Sequence, residues 1–280
     1  MKKIKYIFLK LLNGVFKLIV RRNYIFENIH VGEEAYLFGN GPSLRNVDFQ
    51  KFANKITIGC NHLAIHRDFE QLDLKYMVLP EPFFAYPFIK NQFNKKIQIN
   101  LFGKIFKMAN KNSKAIIFTN ISNIFGFFGK KHYFFYGFGE SELSIRNSDL
   151  SYKFGFGSSA LNAMIGVAKY MGIKKVYLIG CDNVYMPNTF GHFYSEGYRQ
   201  TQKDTDCIEI EANYKSLRDL IEIEVIVEHG SKSEYFNYKE NEFTVQNKTS
   251  ESNRDIINKK YLFLLEKAYE VGLYKNKIIK

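Results

Sequence analysis

The chain has 280 residues and a mass of 32.8 kDa, enough for one large domain or one domain with a small attachment. Hydrophobic residues make up 46% and charged residues 24%, a balance that excludes wholesale disorder, collagen-like repeats and a multi-span membrane protein. Lys and Arg (40) outnumber Asp and Glu (28), and the net charge of +12 calls for an anionic partner: nucleic acid, a phosphorylated substrate or a membrane surface.

That charge sits at the ends. Residues 1–22 carry seven basic side chains and no acidic one, and residues 254–280 carry a net four, which leaves one for the remainder. A nucleic-acid-binding domain needs a basic face or stripe on its folded body, so nucleic acid is not expected as a partner. In residues 1–22, Ile4, Ile7, Phe8, Leu11, Leu12, Val15, Leu18 and Ile19 recur at helical spacing, with Lys3, Lys10 and Lys17 on another face. Lys10 and Lys17 interrupt the apolar run, so it falls short of the ~18 residues of a spanning helix, and no signal-peptide cleavage site is visible. A basic amphipathic helix on an anionic membrane surface is the preferred reading, and packing of that stripe on the chain's own domain or a second subunit is the alternative. The corresponding organisation is an anchor over residues 1–30, a catalytic domain over 31–245 and a basic helical segment over 246–280.

The body reads as α/β: a Rossmann-like, mostly parallel sheet with helices on both faces, plus terminal helices. Short apolar runs predict strands at Ala35–Phe38, Ile56–Cys60, Tyr76–Leu79, Ala115–Thr119, Val176–Gly180 and Glu224–Val227, and the clearest helix is Ala160–Met171. Residues 121–155, rich in Phe, Tyr, Gly and Ser, fit neither element and read as an irregular insertion or lid. Cys60, Cys181 and Cys207 are odd in number and lack paired spacing, so neither a disulfide framework nor a zinc site is expected. A reducing compartment fits them.

Four motifs stand at predicted strand ends, where ligands of such sheets bind. Gly39-Asn40-Gly41-Pro42-Ser43-Leu44 follows the first strand; two glycines allow close backbone approach, and Pro42 suits a helix start whose amides favour phosphate. Leu44 stands where a dinucleotide fingerprint has its third glycine, and no Gly-Lys-Ser/Thr follows, so neither standard phosphate motif is matched. Asn61, after Cys60, offers donors and acceptors to a base or ribose edge, or simply caps a turn. Ser158 and Ser159 precede the clearest helix and either cap it or hold a phosphate. Asp182 closes the Val176–Gly180 strand, and His192 follows in a Gly-His-Phe-Tyr loop; together they suit general acid–base chemistry. No second histidine stands at ligand spacing, so no metal is expected at this site.

In their order along residues 35–194, GNGPSL, Cys-Asn, the Gly/Ser turn, MGIKKVYLIGCD and Gly-His resemble the family-42 bacterial sialyltransferases and, at least as closely, the MptE-like (DUF115) proteins. The resemblance implies a glycosyltransferase that uses a nucleotide-sugar donor of CMP type, with no tightly bound cofactor. Asn40, Gly41, Pro42, Ser43, Asn61, Ser158 and Ser159 then fall to the nucleotide, and His192 to the base that activates an acceptor hydroxyl, with Asp182 beside it. The partners implied are a nucleotide-sugar and a lipid-linked or surface saccharide, for lipopolysaccharide or capsule assembly. The setting is cytoplasmic, peripheral on the inner face of a bacterial inner membrane, with a homo-oligomer an open option. Leu79, followed by Pro80-Glu81, stands near the family's third nucleotide asparagine, and its phosphate-holding tyrosines have only Tyr185, Tyr194 and Tyr198 as candidates. The MptE-like side implies instead a diphosphokinase using ATP, with Mg²⁺ held by Asp182 and Glu81 as an optional second ligand; a non-catalytic nucleotide-fold protein at the membrane is a third reading.

Overall fold

The computed structural model describes residues 14–81, 103–104, 107, 114–124, 131–136, 147–155, 159–185, 189–195, 199–200, 213–244 and 256–271. The expected N-terminal helix lies outside them over residues 1–13, as do Ser158, Tyr198 and Cys207.

Eight strands form one wholly parallel sheet. In chain order they are β1 (Glu34–Phe38), β2 (Ile56–Cys60), β3 (Tyr76–Leu79), β4 (Ile116–Asn120), β5 (His132–Phe135), β6 (Lys175–Ile179), β9 (Glu222–Val227) and β10 (Asn237–Glu240); β7 (Thr189–Phe190) and β8 (Arg199–Gln200) make a separate antiparallel pair. The large sheet runs β10-β9-β6-β1-β2-β3-β4-β5, with every neighbouring pair parallel. Six predicted strands are present within two residues of their expected ends, and the fold is α/β and Rossmann-like.

Two separate cores explain why these strands read as continuous apolar runs. Side chains alternate across a strand, so Ala35, Leu37, Ile58, Val78, Val176 and Leu178 enter one core with the helix Ala160–Tyr170. Their neighbours Phe38, Met77, Leu79 and Ile179 enter the other, with Phe49, Phe52 and Leu63 from short 3-10 turns and Tyr261, Leu264 and Leu265 from the helix Lys259–Glu270. Burial on both faces is the requirement of a parallel sheet.

The helix Ala160–Tyr170 has definite ends. Ser159 caps its start, its hydroxyl accepting from the Asn162 amide at 3.5 Å. After Met171, Gly172 takes φ +82°, and the Ile173 and Gly172 amides close on the Ala168 and Lys169 carbonyls. That tight stop feeds the chain directly into β6. Nine of the eleven helical residues are buried, because Phe154 and the residues 213–217 cover its outer side; Asn162 and Asn213 pair through their amides at 2.8 Å.

Residues 121–155 correct one expectation. They contain strand β5, whose His132 and Phe135 pair with β4, so this stretch is partly sheet. Its aromatic composition hid the strand: no polar alternation marks it, and the flanking glycines suggest a loop. The edge strand β10 was also not expected. Only one of its four residues is even half-buried, so it carries no apolar signal.

The described part of the N-terminal helix, residues 14–21, turns Phe16 and Val20 against Ile121 and Phe134. Asn23 then donates to the Phe134 and Leu150 carbonyls at 2.7 and 2.8 Å, and Arg22 lies 4.4 Å over the Tyr133 ring. Phe16 and Val20 lie beside the expected stripe, and of its own described members Ile19 is partly buried on this cluster. Val15 and Leu18 remain exposed. No described helix is long and apolar enough to cross a membrane.

Candidate functional site

The strand order reverses between β1 and β6: from β1 the chain moves through β2 to β5 on one side, and β6, β9 and β10 extend the other. Loops leaving the carboxyl ends of β1 and β6 therefore diverge and open a crevice, the usual ligand position in such sheets. A cleft of about 220 Å³ occupies it.

The two loops stay paired beyond the sheet. The Gly39 amide donates to the Ile179 carbonyl at 2.8 Å, and the Gly41 amide to the Gly180 carbonyl at 2.7 Å. This closeness demands the glycines. A β-carbon at Gly39 would overlap the Gly180 carbonyl, and one at Gly41 would overlap the Asp182 carboxylate. Gly180 itself has φ +64°, with Leu44 packed where a side chain would go.

Asp182 is the clamp between these loops. Its Oδ1 accepts from the Ser43 amide at 3.1 Å and the Tyr185 hydroxyl at 3.2 Å, and its Oδ2 accepts from the Ser43 hydroxyl at 2.9 Å. Burial raises its pKa, and the two Ser43 hydrogen bonds oppose that rise. The expected catalytic aspartate thus holds the first loop in place, and Ser43 lies behind the cleft wall bonded to it. Asn40, Gly41, Pro42, Asn61, Ser159, Asp182 and His192 all line the cleft. The structure brings together all but two of the expected site residues, Ser43 standing one layer back and Ser158 lying outside the described residues.

On one wall, Ser159, Ala160 and Leu161 present the first turn of the eleven-residue helix, whose leading amides lack intrahelical partners. Opposite, His192 is held by its backbone. The Phe193 amide donates to the Asn40 carbonyl at 2.9 Å, and Ser195 closes a turn on the His192 carbonyl at 3.1 Å. Arg45, which sequence reasoning missed, donates to the carbonyls of His192, Phe193 and Ser195 at 3.1, 2.9 and 2.6 Å. One residue beyond GNGPSL, it fastens the histidine loop to the first loop; its only signal is that adjacency.

Phe193 and Tyr194 are fully buried, which leaves His192 to the cleft side. The Tyr194 ring stacks on His192 at 4.8 Å and lies 5.2 Å from His62. Tyr194 is thus a packing partner of both imidazoles, and Tyr185 a ligand of Asp182. Although His192 keeps one exposed side, the protein around its ring lowers its pKa by desolvation. That shift favours the neutral imidazole, the form able to accept a proton. His62 is buried; desolvation first, then repulsion from His192, lowers its pKa to about 3.

Asn40 donates through Nδ2 to the Cys60 carbonyl at 3.2 Å and to the Cys60 sulfur at 3.3 Å. Asn61, in the left-handed region at φ +45°, donates to Glu81 Oε1. Burial pushes the Glu81 carboxyl up to about 7. Cys60 and Cys181 are free and buried, their thiols raised by desolvation and so unreactive.

The carboxylates do not suit a shared magnesium ion. Asp182 follows β6 and Glu81 follows β3, with β1 and β2 between them, a separation of about 14 Å at ordinary strand spacing. Asp182 already serves three donors. Among the described residues, no three His, Cys, Asp or Glu side chains gather as a metal site.

No protein-family model matches the chain, and no curated protein matches it significantly. Among solved structures it is similar to the alpha-2,3-sialyltransferase from Campylobacter jejuni in apo form, at 17% identity and a TM-score of 0.42, covering 83% of this chain and 92% of that one. It is also similar to the sialyltransferase CstII from Campylobacter jejuni in complex with CMP-3FNeuAc, at 14% identity and a TM-score of 0.36, covering 84% and 99%. A third similarity is to CstII in complex with cytidine-5'-monophosphate, at 16% identity and a TM-score of 0.37, covering 79% and 96%.

Proposed function

We propose that this protein is a glycosyltransferase that takes a sugar from a nucleotide-activated donor of CMP type and passes it to a saccharide hydroxyl. One observation carries the reading: a histidine, a helix N-terminus and two asparagines from separate loops line a single cleft at the sheet's reversal point. The motif order set out above, which resembles the family-42 sialyltransferases, supports it.

In this mechanism the amides of Ala160 and Leu161 and the Ser159 hydroxyl receive the donor's phosphate, where the helix terminus favours negative charge. His192 takes the proton of the acceptor hydroxyl as that oxygen bonds to the sugar's anomeric carbon and the sugar–phosphate bond breaks; the nucleotide departs with the negative charge on its phosphate, which those amides stabilise. Asp182 and Arg45 fix the loops that carry Asn40 and His192. The diphosphokinase alternative would put ATP with Mg²⁺ on Asp182, whose carboxylate already accepts from Ser43 and Tyr185. The saccharide belongs in this reading to surface-polysaccharide assembly, with residues 1–22 resting on an anionic membrane.

The test is thermal stabilisation by CMP, UDP, GDP and ATP with Mg²⁺, followed by a transfer assay on the variant His192→Ala. Stabilisation by a sugar-nucleotide product is expected, because a ligand that binds only the folded state raises its melting temperature. The variant should keep that stabilisation and lose transfer by about 10²–10⁴-fold. Stabilisation by ATP with Mg²⁺ alone, or unchanged turnover in the variant, would overturn the reading.

A further inference from the structure

His192 differs from an ordinary general base in what supports it. A catalytic imidazole is commonly oriented, and its charged form stabilised, by a third group such as a carboxylate. Among the described residues no carboxylate bonds the His192 ring: Asp182 is committed to Ser43 and Tyr185, and the histidines paired with a carboxylate are His30 and His229. An aromatic ring takes that place. The Tyr194 and His192 rings stack face to face, 4.8 Å apart and 19° from parallel. Tyr194 is 2% exposed, and its ring is fixed from two further directions. Phe193 meets it edge-on at 5.1 Å and 89°, and His62 lies tilted against it at 5.2 Å. Arg45 pins the same turn through the carbonyls of His192, Phe193 and Ser195, so the stack has little room to slide.

From this stack we infer that Tyr194 is a positioning residue that fixes the His192 imidazole and supports, on its π face, the imidazolium formed when the acceptor's proton reaches a ring nitrogen. The inference rests on the transfer reaction proposed above and deepens it. A cation within about 6 Å of an aromatic centroid is attracted by the negative face of the ring. Tyr194 keeps water from one side of the imidazole and replaces it there as the support for positive charge. The other titratable and charged groups around His192 leave this role to it. His62 sits against the tyrosine and is buried and neutral, Asp182 is engaged by its own donors, and Arg45 meets the His192 carbonyl. Burial also sets Tyr194 apart from the phosphate-holding tyrosines for which the sequence made it a candidate.

Proton NMR titration of the histidine rings in the full chain reads the effect without substrate, with His192→Ala identifying the resonance. Tyr194→Leu keeps an apolar side chain but removes the π face, and it should lower the His192 pKa by about 0.5–1 pH unit. Tyr194→Phe keeps the face and should hold the pKa within about 0.2 of the wild type. The sign separates this role from simple packing. A variant that merely opened the site to water would move the pKa up toward its ordinary 6.5, because desolvation is what lowers it. In transfer from a CMP-activated sugar to a saccharide acceptor, Tyr194→Leu should lose about tenfold in kcat at unchanged donor KM, and Tyr194→Phe should rescue it. The wild type alone supplies a further measurement: ring currents in the stack should move the His192 ring protons upfield of those of His229, whose side chain is 94% exposed. An unchanged or raised pKa in Tyr194→Leu, equal loss of kcat in Tyr194→Phe, or wild-type His192 protons at the position of His229 would overturn the inference. A wild type that transfers from no activated sugar would instead overturn the proposed function, and the titration would still decide whether Tyr194 supports the charged ring.

Discussion

The two sides of the cleft differ in how their polar groups are satisfied. Where β1 meets β6, Asp182, Ser43 and Tyr185 bond one another, and backbone pairs tie Gly39 and Gly41 to the opposite loop. Where β2 meets β3, Asn61 and Glu81 share one bond and leave an oxygen each without a partner. Asp182 and its partners act as scaffold, whereas Asn40 in the first loop and Asn61 and Glu81 on the second side each keep an oxygen without a partner. Stability and binding should therefore separate between the two groups.

The largest effect expected is at Asp182. Its replacement by Ala strands the Ser43 amide and hydroxyl and the Tyr185 hydroxyl in a buried site, a loss of about 3–5 kcal/mol that urea denaturation would measure. Gly41→Ala comes next. The added methyl group meets the Asp182 carboxylate, and overpacking at such a point costs about 3 kcal/mol along with the loop geometry. Both variants should lower the melting temperature whether or not nucleotide is present. Asn40→Ala reverses the pattern. It removes one unsatisfied oxygen along with the Nδ2 bonds to Cys60, so stability should fall by about 1 kcal/mol, well under the loss at Asp182, while nucleotide affinity drops about tenfold. Equal destabilisation at Asn40 and Asp182 would erase the distinction between the clamp and the asparagine.

A further effect is a pH slope. Burial raises the folded-state pKa of Glu81 from 4.5 to about 7, so between those values the folded state holds a proton that the unfolded state has released. Stability from this group is lost as pH rises through that window, and Glu81→Gln should gain on the wild type between pH 4.5 and 7. His62 acts in the opposite sense. Lowered from 6.5 to about 3, it stays neutral in the fold while the unfolded chain protonates, so its contribution is lost as pH falls below 6.5. His62→Asn should flatten the acid limb in pH-dependent melting, and a steeper limb would place the ring's neutrality in doubt.

Much of the scaffold was legible in the chain. A parallel sheet buries both faces, so its inner strands must be apolar throughout, and Ile56–Cys60 and Tyr76–Leu79 announced themselves with correct ends. The helix after Ser159 declared its start through the capping serine. His132–Phe135 did not, because an aromatic run between glycines reads equally as loop, and only pairing with β4 makes it a strand. The edge strand Asn237–Glu240 buries too little to leave a pattern.

For the site, the sequence by itself determined which short segments stand at strand ends, since turn-forming and apolar residues mark those boundaries locally. Tertiary structure alone decided what each residue does there. Asp182 became a clamp because Ser43, 139 positions away, supplies its donors, and Arg45 became a brace because residues 192–195 fold back within reach of its guanidinium. Glu81 gained its meaning from Asn61 on the neighbouring strand end. Local propensity is written in adjacent residues, but hydrogen-bond satisfaction depends on partners that only the strand order brings together.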